Sequence, residues 1–199
     1  MKIGIDTDGV LTDMSGFLLD LGKQYLKRNP AEPQAYGVEE MFQTSKWEKM
    51  RYGIQFFLDY CKKCPPREGA QKVIAQLNKD GYETCEITAR KFVTMKNPLG
   101  YYSKKMLLNW YKTHGFNFSK IVFCSEKNTG AEKLKACLEF GAMVMVEDRP
   151  EVATTLAEGG ITVLLFDAPY NQDLYGEQII RCYTWNDVYD QITQRIRAN

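Results

Sequence analysis

Apolar residues gather into five short runs, at 3–6, 83–88, 120–125, 143–147 and 161–167, each the length of a strand and none with a helical period. Between them the apolar spacing switches to threes and fours. Residues 67–80 put Ala70, Val73, Ile74 and Leu77 on one face and stop at Gly81. Residues 101–113 do the same with Met106, Leu107, Trp110 and Tyr111, and 131–140 close on Gly141. Residues 150–158 begin with Pro150 and end in Gly159-Gly160, and 185–196 read as a last amphipathic helix. Strands alternating with helices predict an α/β fold with a five-stranded parallel sheet covered on both faces. Such a fold carries its chemistry in the loops after the strands.

One stretch breaks the alternation. Residues 14–66, between the first two strands, are far more than one crossover needs. Their pattern is helical and rich in aromatics, among them Phe17, Tyr25, Phe42, Trp47, Tyr52, Phe56, Phe57 and Tyr60. Pro30, Pro33 and Gly37 punctuate the stretch and Pro65-Pro66 ends it. The reading is a small helical cap at 14–66, inserted into a core formed by 1–13 and 67–199. Its insertion beside the first strand end favours a lid over a plain helical layer.

Bulk properties narrow the function. The 199 residues suffice for one core with an insertion. A net charge of +1 gives no electrostatic case for nucleic acid or a membrane surface. No apolar run is long enough to cross a membrane, and the start does not resemble a signal peptide, so a cytoplasmic location is expected. The six cysteines include one C-x-x-C, Cys61 to Cys64, with neither a second pair nor a nearby histidine. A four-ligand zinc site is therefore not expected, and the cysteines read as reduced thiols. The single histidine, His114, falls at a predicted helix end, where it favours the helix dipole.

The chemistry sits at the strand ends. The first run ends Asp6-Thr7-Asp8-Gly9, two acids spaced to leave the strand on one side. The fourth ends Glu147-Asp148. One acidic pair can start a turn or cap a helix; two pairs from neighbouring strands repel unless a cation resolves them. A hard divalent ion with oxygen ligands, Mg²⁺ foremost, suits a few carboxylates plus a phosphate. The second strand ends Thr88-Ala89-Arg90, a hydroxyl and turning N–H groups suited to phosphoryl oxygens or, equally, to a helix cap. Lys133, near a helix start, opposes the helix dipole and invites a role, with Lys127 and Lys135 as competitors.

Taken in order, Asp6-Thr7-Asp8-Gly9-Val10-Leu11-Thr12, Thr88, Lys133 and Glu147-Asp148 resemble the four motifs of the haloacid-dehalogenase-like phosphatases. The helical insert and the stretch Leu165-Phe166-Asp167-Ala168-Pro169-Tyr170-Asn171 are similar to the 5'(3')-deoxyribonucleotidases of that superfamily. The resemblance implies a Rossmann-like core and an Mg²⁺-dependent phosphomonoesterase acting on a small phosphate, such as a nucleoside monophosphate. It implies Asp6 as nucleophile and Asp8 as acid and base. Thr88, Ala89 and Lys133 then hold the phosphoryl group, and Asp6, the Asp8 carbonyl and Asp148 hold the metal. Glu147 departs from the usual Asp and is carried as a metal ligand or as a residue behind one. Phe17, Phe42, Trp47 and Phe56 are the candidate base contacts, with Arg90 as a further substrate contact. A sugar-phosphate phosphatase and a ligand-binding protein without turnover are the alternatives. The insert speaks against the capless sugar-acid phosphatases, which share the opening motif.

Overall fold

The computed structural model describes residues 1–196. Six strands form one sheet: β1 (Lys2–Ile5), β2 (Glu83–Thr88), β3 (Lys120–Phe123), β4 (Val144–Glu147), β5 (Thr162–Phe166) and β6 (Ile179–Cys182). Their order is β3-β2-β1-β4-β5-β6, with every neighbouring pair parallel. The helices are α1 (Met14–Leu26), α2 (Val38–Phe42), α3 (Lys46–Lys63), α4 (Ala70–Lys79), α5 (Pro98–Thr113), α6 (Thr129–Phe140), α7 (Pro150–Glu158) and α8 (Trp185–Asp190). The last continues as a wider-wound turn over Gln191–Ile196. The predicted core reaches 199; residues 197–199 lie outside the described part.

The sheet corrects the expectation of five strands. β6 is an edge strand of four residues, and Arg181 sits in its middle. That charge hides the strand from an apolar pattern. In the fold the guanidinium turns to Asp167 and to the carbonyls of Asn171, Gln172 and Leu174.

Strand parity builds the two faces. Ile3, Ile5, Val144, Val146, Leu164 and Phe166 share a core with α4, α5 and α8 side chains such as Leu77, Leu107 and Trp185. Ile87, Met145, Val163 and Leu165 share the opposite core with Cys137, Phe140 and Leu156 of α6 and α7. Burying each such Ile, Leu or Val contributes about 1.5–3 kcal/mol. Gly4 sits where β1 faces the second core; a Cβ there would lie 2.5 Å from the Met145 sulfur. The strand order reverses between β1 and β4, and a crevice opens beyond the carboxyl ends of strands at such a point. His114 ends α5 as its C-cap, against the Trp110 ring.

Helices α1 to α3 form a third cluster, with Leu18, Met41, Phe42 and Tyr52 buried together. Gly22 of α1 lets the Phe42 ring in; a Cβ there would meet the ring at 2.3 Å. A Ser45–Glu48 capping box starts α3. The two chain crossings to the sheet are tied together. Thr12 and Pro66 pair as an isolated bridge, and the Arg67 N–H donates to the Leu11 carbonyl over 2.7 Å. The insertion therefore leaves and returns at one point beside the end of β1. Among the described residues no helix is long and apolar enough to cross a membrane.

Candidate active site

The parity that sorts the core also aims the acids. Gly4 and Met145 face α6, so Asp6 and Glu147, two residues further along their strands, face it too. There Lys133 of α6 meets them. Its ammonium lies 2.9 Å from Asp6 Oδ1 and 2.7 Å from Glu147 Oε2. All three side chains are buried. Burial opposes the lysine's charge, but the Asp6 and Glu147 carboxylates outweigh it and raise its pKa. Lys133 thus stays a cation at any working pH. Lys135, on the outer face of the same helix, is exposed and pairs with Glu139, so helical spacing selects Lys133.

Glu147 is fully engaged. Oε2 takes the Lys133 ammonium, and Oε1 accepts the N–H groups of Asp148 and Arg149, each over 3.1 Å. Burial pushes its pKa up, yet Lys133 and these hydrogen bonds prevail and the net shift is downward. Asp148 is the opposite case. Burial first, then repulsion from Glu147 and Asp6, raise it well above the carboxylate range. Burial likewise raises Asp6 to about 7, with Lys133 opposing and Glu147 and Asp8 adding to the rise.

These acids fit a hard cation. Asp6, Glu147 and Asp148 bring carboxylate oxygens within 4.8 Å of one another. Asp148 Oδ1 is buried with no hydrogen-bond partner among the described residues. Its other oxygen accepts the Tyr170 hydroxyl, and Asn171 Nδ2 holds its backbone carbonyl at 2.7 Å. The Asp148 carboxylate also packs directly on Gly9, where a Cβ would fall 1.8 Å from Oδ2. Gly9 has φ +86°, so both backbone and space require glycine. An orphaned oxygen among like charges is the environment a divalent cation relieves.

Thr88 ends β2, buried, and its hydroxyl accepts the Arg90 N–H at 3.2 Å. Ala89 lies in the same turn and lines the same cavity as Asp6, Asp8 and Lys133. Arg90 folds back onto Asp8, with Nε 2.9 and 3.1 Å from its two oxygens. The Tyr60 hydroxyl of α3 donates to Asp8 Oδ1 over 2.8 Å and also pairs with the Thr12 hydroxyl.

Glu86 is a buried acid that no strand-end motif reveals. Parity turns it away from α6 toward α5, where the Thr7 hydroxyl donates to it over 2.6 Å and Tyr111 joins through Thr7. Burial pushes its pKa up to about 8, with the Thr7 hydrogen bond opposing. An acid in the middle of an apolar strand, Cys85-Glu86-Ile87, was the available signal.

The crevice continues under α3 as a cavity of about 1090 Å³. Its walls carry Phe56, Phe57, Tyr60, Phe92 and Tyr102, with Tyr36 and Arg149 at one side. The four aromatics singled out from the sequence lie in different places. Phe42 is buried among α1–α3 beside Gly22. Trp47 is 74% exposed on the outer side of α3. Phe17 packs behind Phe56 and Tyr60, at ring centroids of 6.1 and 5.6 Å. Of the four aromatics singled out, Phe56 alone reaches the cavity. Composition marks an aromatic insert, but only helix rotation decides which rings face inward.

Comparison with known proteins agrees with this geometry. A protein of Chlorobaculum tepidum named "Putative 5'(3')-deoxyribonucleotidase" is 25% identical over 195 residues, covering 96% of this chain and 89% of the relative. Among solved structures, a HAD family hydrolase from Deinococcus radiodurans with bound phosphate and sodium superposes with a TM-score of 0.64 at 12% identity, over 96% of this chain and 94% of the other. A D,D-heptose 1,7-bisphosphate phosphatase from B. bronchiseptica, complexed with magnesium and phosphate, gives 0.60 at 14% identity, over 98% and 99%. These two likenesses carry the fold. The family model described as 5' nucleotidase, deoxy (pyrimidine), cytosolic type C protein matches residues 1–199. With its parallel sheet, buried acids and full-length match, the chain belongs to that family of phosphatases.

Proposed function

We propose that this protein is an Mg²⁺-dependent phosphomonoesterase that works through an aspartyl-phosphate on Asp6, with a nucleoside monophosphate as substrate. The observation that carries the reading is Lys133 bridging Asp6 and Glu147 beside the orphaned oxygen of Asp148. The name of the Chlorobaculum relative supports the nucleotide, and the family description supports a cytoplasmic location.

The proposed roles are supported by the placement of these residues. Asp6 attacks phosphorus as the ester P–O bond breaks, and Asp8 gives its proton to the departing oxygen. Asp8 then takes a proton from the water that cleaves the acyl phosphate and regenerates Asp6. Thr88, the Ala89 N–H and Lys133 hold the phosphoryl oxygens, so the site works by positioning and fixed charge. Asp6, the Asp8 carbonyl and Asp148 are the proposed metal ligands, with Glu147 behind them as the anchor of Lys133. Bound Mg²⁺ supplies the positive charge that lets carboxylate and phosphate approach each other. The aromatic walls favour a leaving group with a flat face over a polyol.

Phosphate release from nucleoside monophosphates, sugar phosphates and p-nitrophenyl phosphate, with Mg²⁺ and with chelator, tests this. The expected result is Mg²⁺-dependent turnover with nucleotides preferred. Equal rates in chelator overturn the metal reading, and preference for sugar phosphates overturns the substrate.

A further inference from the structure

Both oxygens of Asp8 are engaged. Arg90 Nε reaches both, and Tyr60 donates to Oδ1. A residue that must pass a proton to a leaving group cannot do so while a guanidinium fork covers its oxygens. The three groups are packed as a unit, with the Arg90 guanidinium 4.7 Å over the Tyr60 ring. Arg90 is buried at 7% exposure, so this is no loose surface pair.

Arg90 also hangs from the turn proposed to hold phosphate. It lies two residues after Thr88, and its N–H donates to the Thr88 hydroxyl over 3.2 Å. Arg90 lines the same cavity as Asp6, Thr88 and Lys133. Lys133 already serves two carboxylates. An incoming phosphoryl dianion therefore meets Lys133, shared by two carboxylates, and Arg90, whose guanidinium is paired with the monoanionic carboxylate of Asp8. A guanidinium fork matches two phosphoryl oxygens as well as it matches a carboxylate, and the higher charge wins.

We propose that Arg90 is exchanged between two anions: it holds Asp8 in the empty site and passes to the phosphoryl group of the substrate, which frees Asp8 to act. Tyr60, a neutral donor from α3, stays on Asp8 and is the positioning residue that keeps it aimed after the exchange. Arrival of phosphate would thus arm the proton donor, and a water-filled site would leave it covered. This inference rests on the phosphatase reading.

The test uses inorganic phosphate as probe on the Mg²⁺-loaded protein. In the wild type, saturating phosphate should shift the Arg90 Nε–H resonance. Arg90→Ala should weaken phosphate binding by ~10–100-fold and raise KM for an ester in step, and Arg90→Lys, which keeps charge but loses the fork, should fall between. Tyr60→Phe should leave the phosphate Kd within about twofold and lower kcat. An unmoved Arg90 resonance at phosphate saturation overturns the exchange without any variant. So does an unchanged phosphate Kd in folded Arg90→Ala, while turnover by the wild type leaves the phosphatase reading standing. If the wild type neither binds phosphate nor hydrolyses any ester, both fall.

Discussion

Lys133 donates to Glu147 over 2.7 Å, and this contact gives the longer acid its place. Glu147 spends both oxygens on Lys133 and on two backbone N–H groups, whereas Asp148 keeps one buried oxygen unpartnered. Asp148→Ala should therefore weaken Mg²⁺ binding more than Glu147→Ala. Glu147→Ala should instead cost about 3–5 kcal/mol of stability, because it leaves the buried Lys133 with Asp6 as its one remaining carboxylate partner and removes the acceptor of the Asp148 and Arg149 N–H groups. Calorimetric Mg²⁺ titration and urea unfolding measure the two effects. The reverse ranking would exchange the two roles.

Asp6→Asn should abolish turnover, by on the order of 10³-fold or more, with the fold intact. The side chain keeps its shape and can still accept from Lys133. Burial of the charge, which pushes Asp6 up to about 7, is relieved. The variant should unfold at no lower urea concentration than wild type in chelator. A near wild-type rate with contamination excluded would remove Asp6 as nucleophile.

Glu86 makes stability depend on pH. Its pKa rises from 4.5 to about 8 on folding, chiefly by burial. Between these values the folded protein binds the extra proton, so stability falls as pH rises through that window. Glu86→Gln removes this titration. Its advantage over wild type should grow from about pH 4.5 to about pH 8 and then level, reaching a few kcal/mol. Urea unfolding of both proteins across this range, in chelator, reads the difference. A pH-independent gap would mean Glu86 is charged throughout.

The cavity walls predict which residues of α3 select substrate. Phe56→Ala and Phe57→Ala should cost about tenfold in kcat/KM for a nucleotide, since base stacking contributes ~1–3 kcal/mol. A small generic ester should be nearly unaffected. Trp47→Ala should change neither substrate, and Phe42→Ala should lower stability by about 3–5 kcal/mol instead of changing selectivity. Steady-state assays on both esters, with melting curves, separate these outcomes.

Much of this protein was legible in order and type. Short apolar runs alternating with stretches of near-four period set the parallel α/β core, because a strand covered on both faces is apolar throughout and a helix buries one face. The four strand-end and helix positions were legible because uncompensated acids and a misplaced lysine are costly in a core. Strand parity, also a local property, placed Asp6 and Glu147 on one face.

Tertiary structure alone decided the rest. β6 exists because its neighbour β5 and the loop around Asn171 satisfy Arg181, a pairing of distant residues. Phe42 and Trp47 look alike along the chain, yet the rotation of α2 and α3 buries one and exposes the other. Glu86 and Thr7 meet across 79 positions, and Arg90 reaches Asp8 across 82. Sequence sets which groups must find a partner, because burying a charge or a polar atom is costly wherever it happens. Which partner each finds depends on how the elements pack, and that distance is not written in the chain.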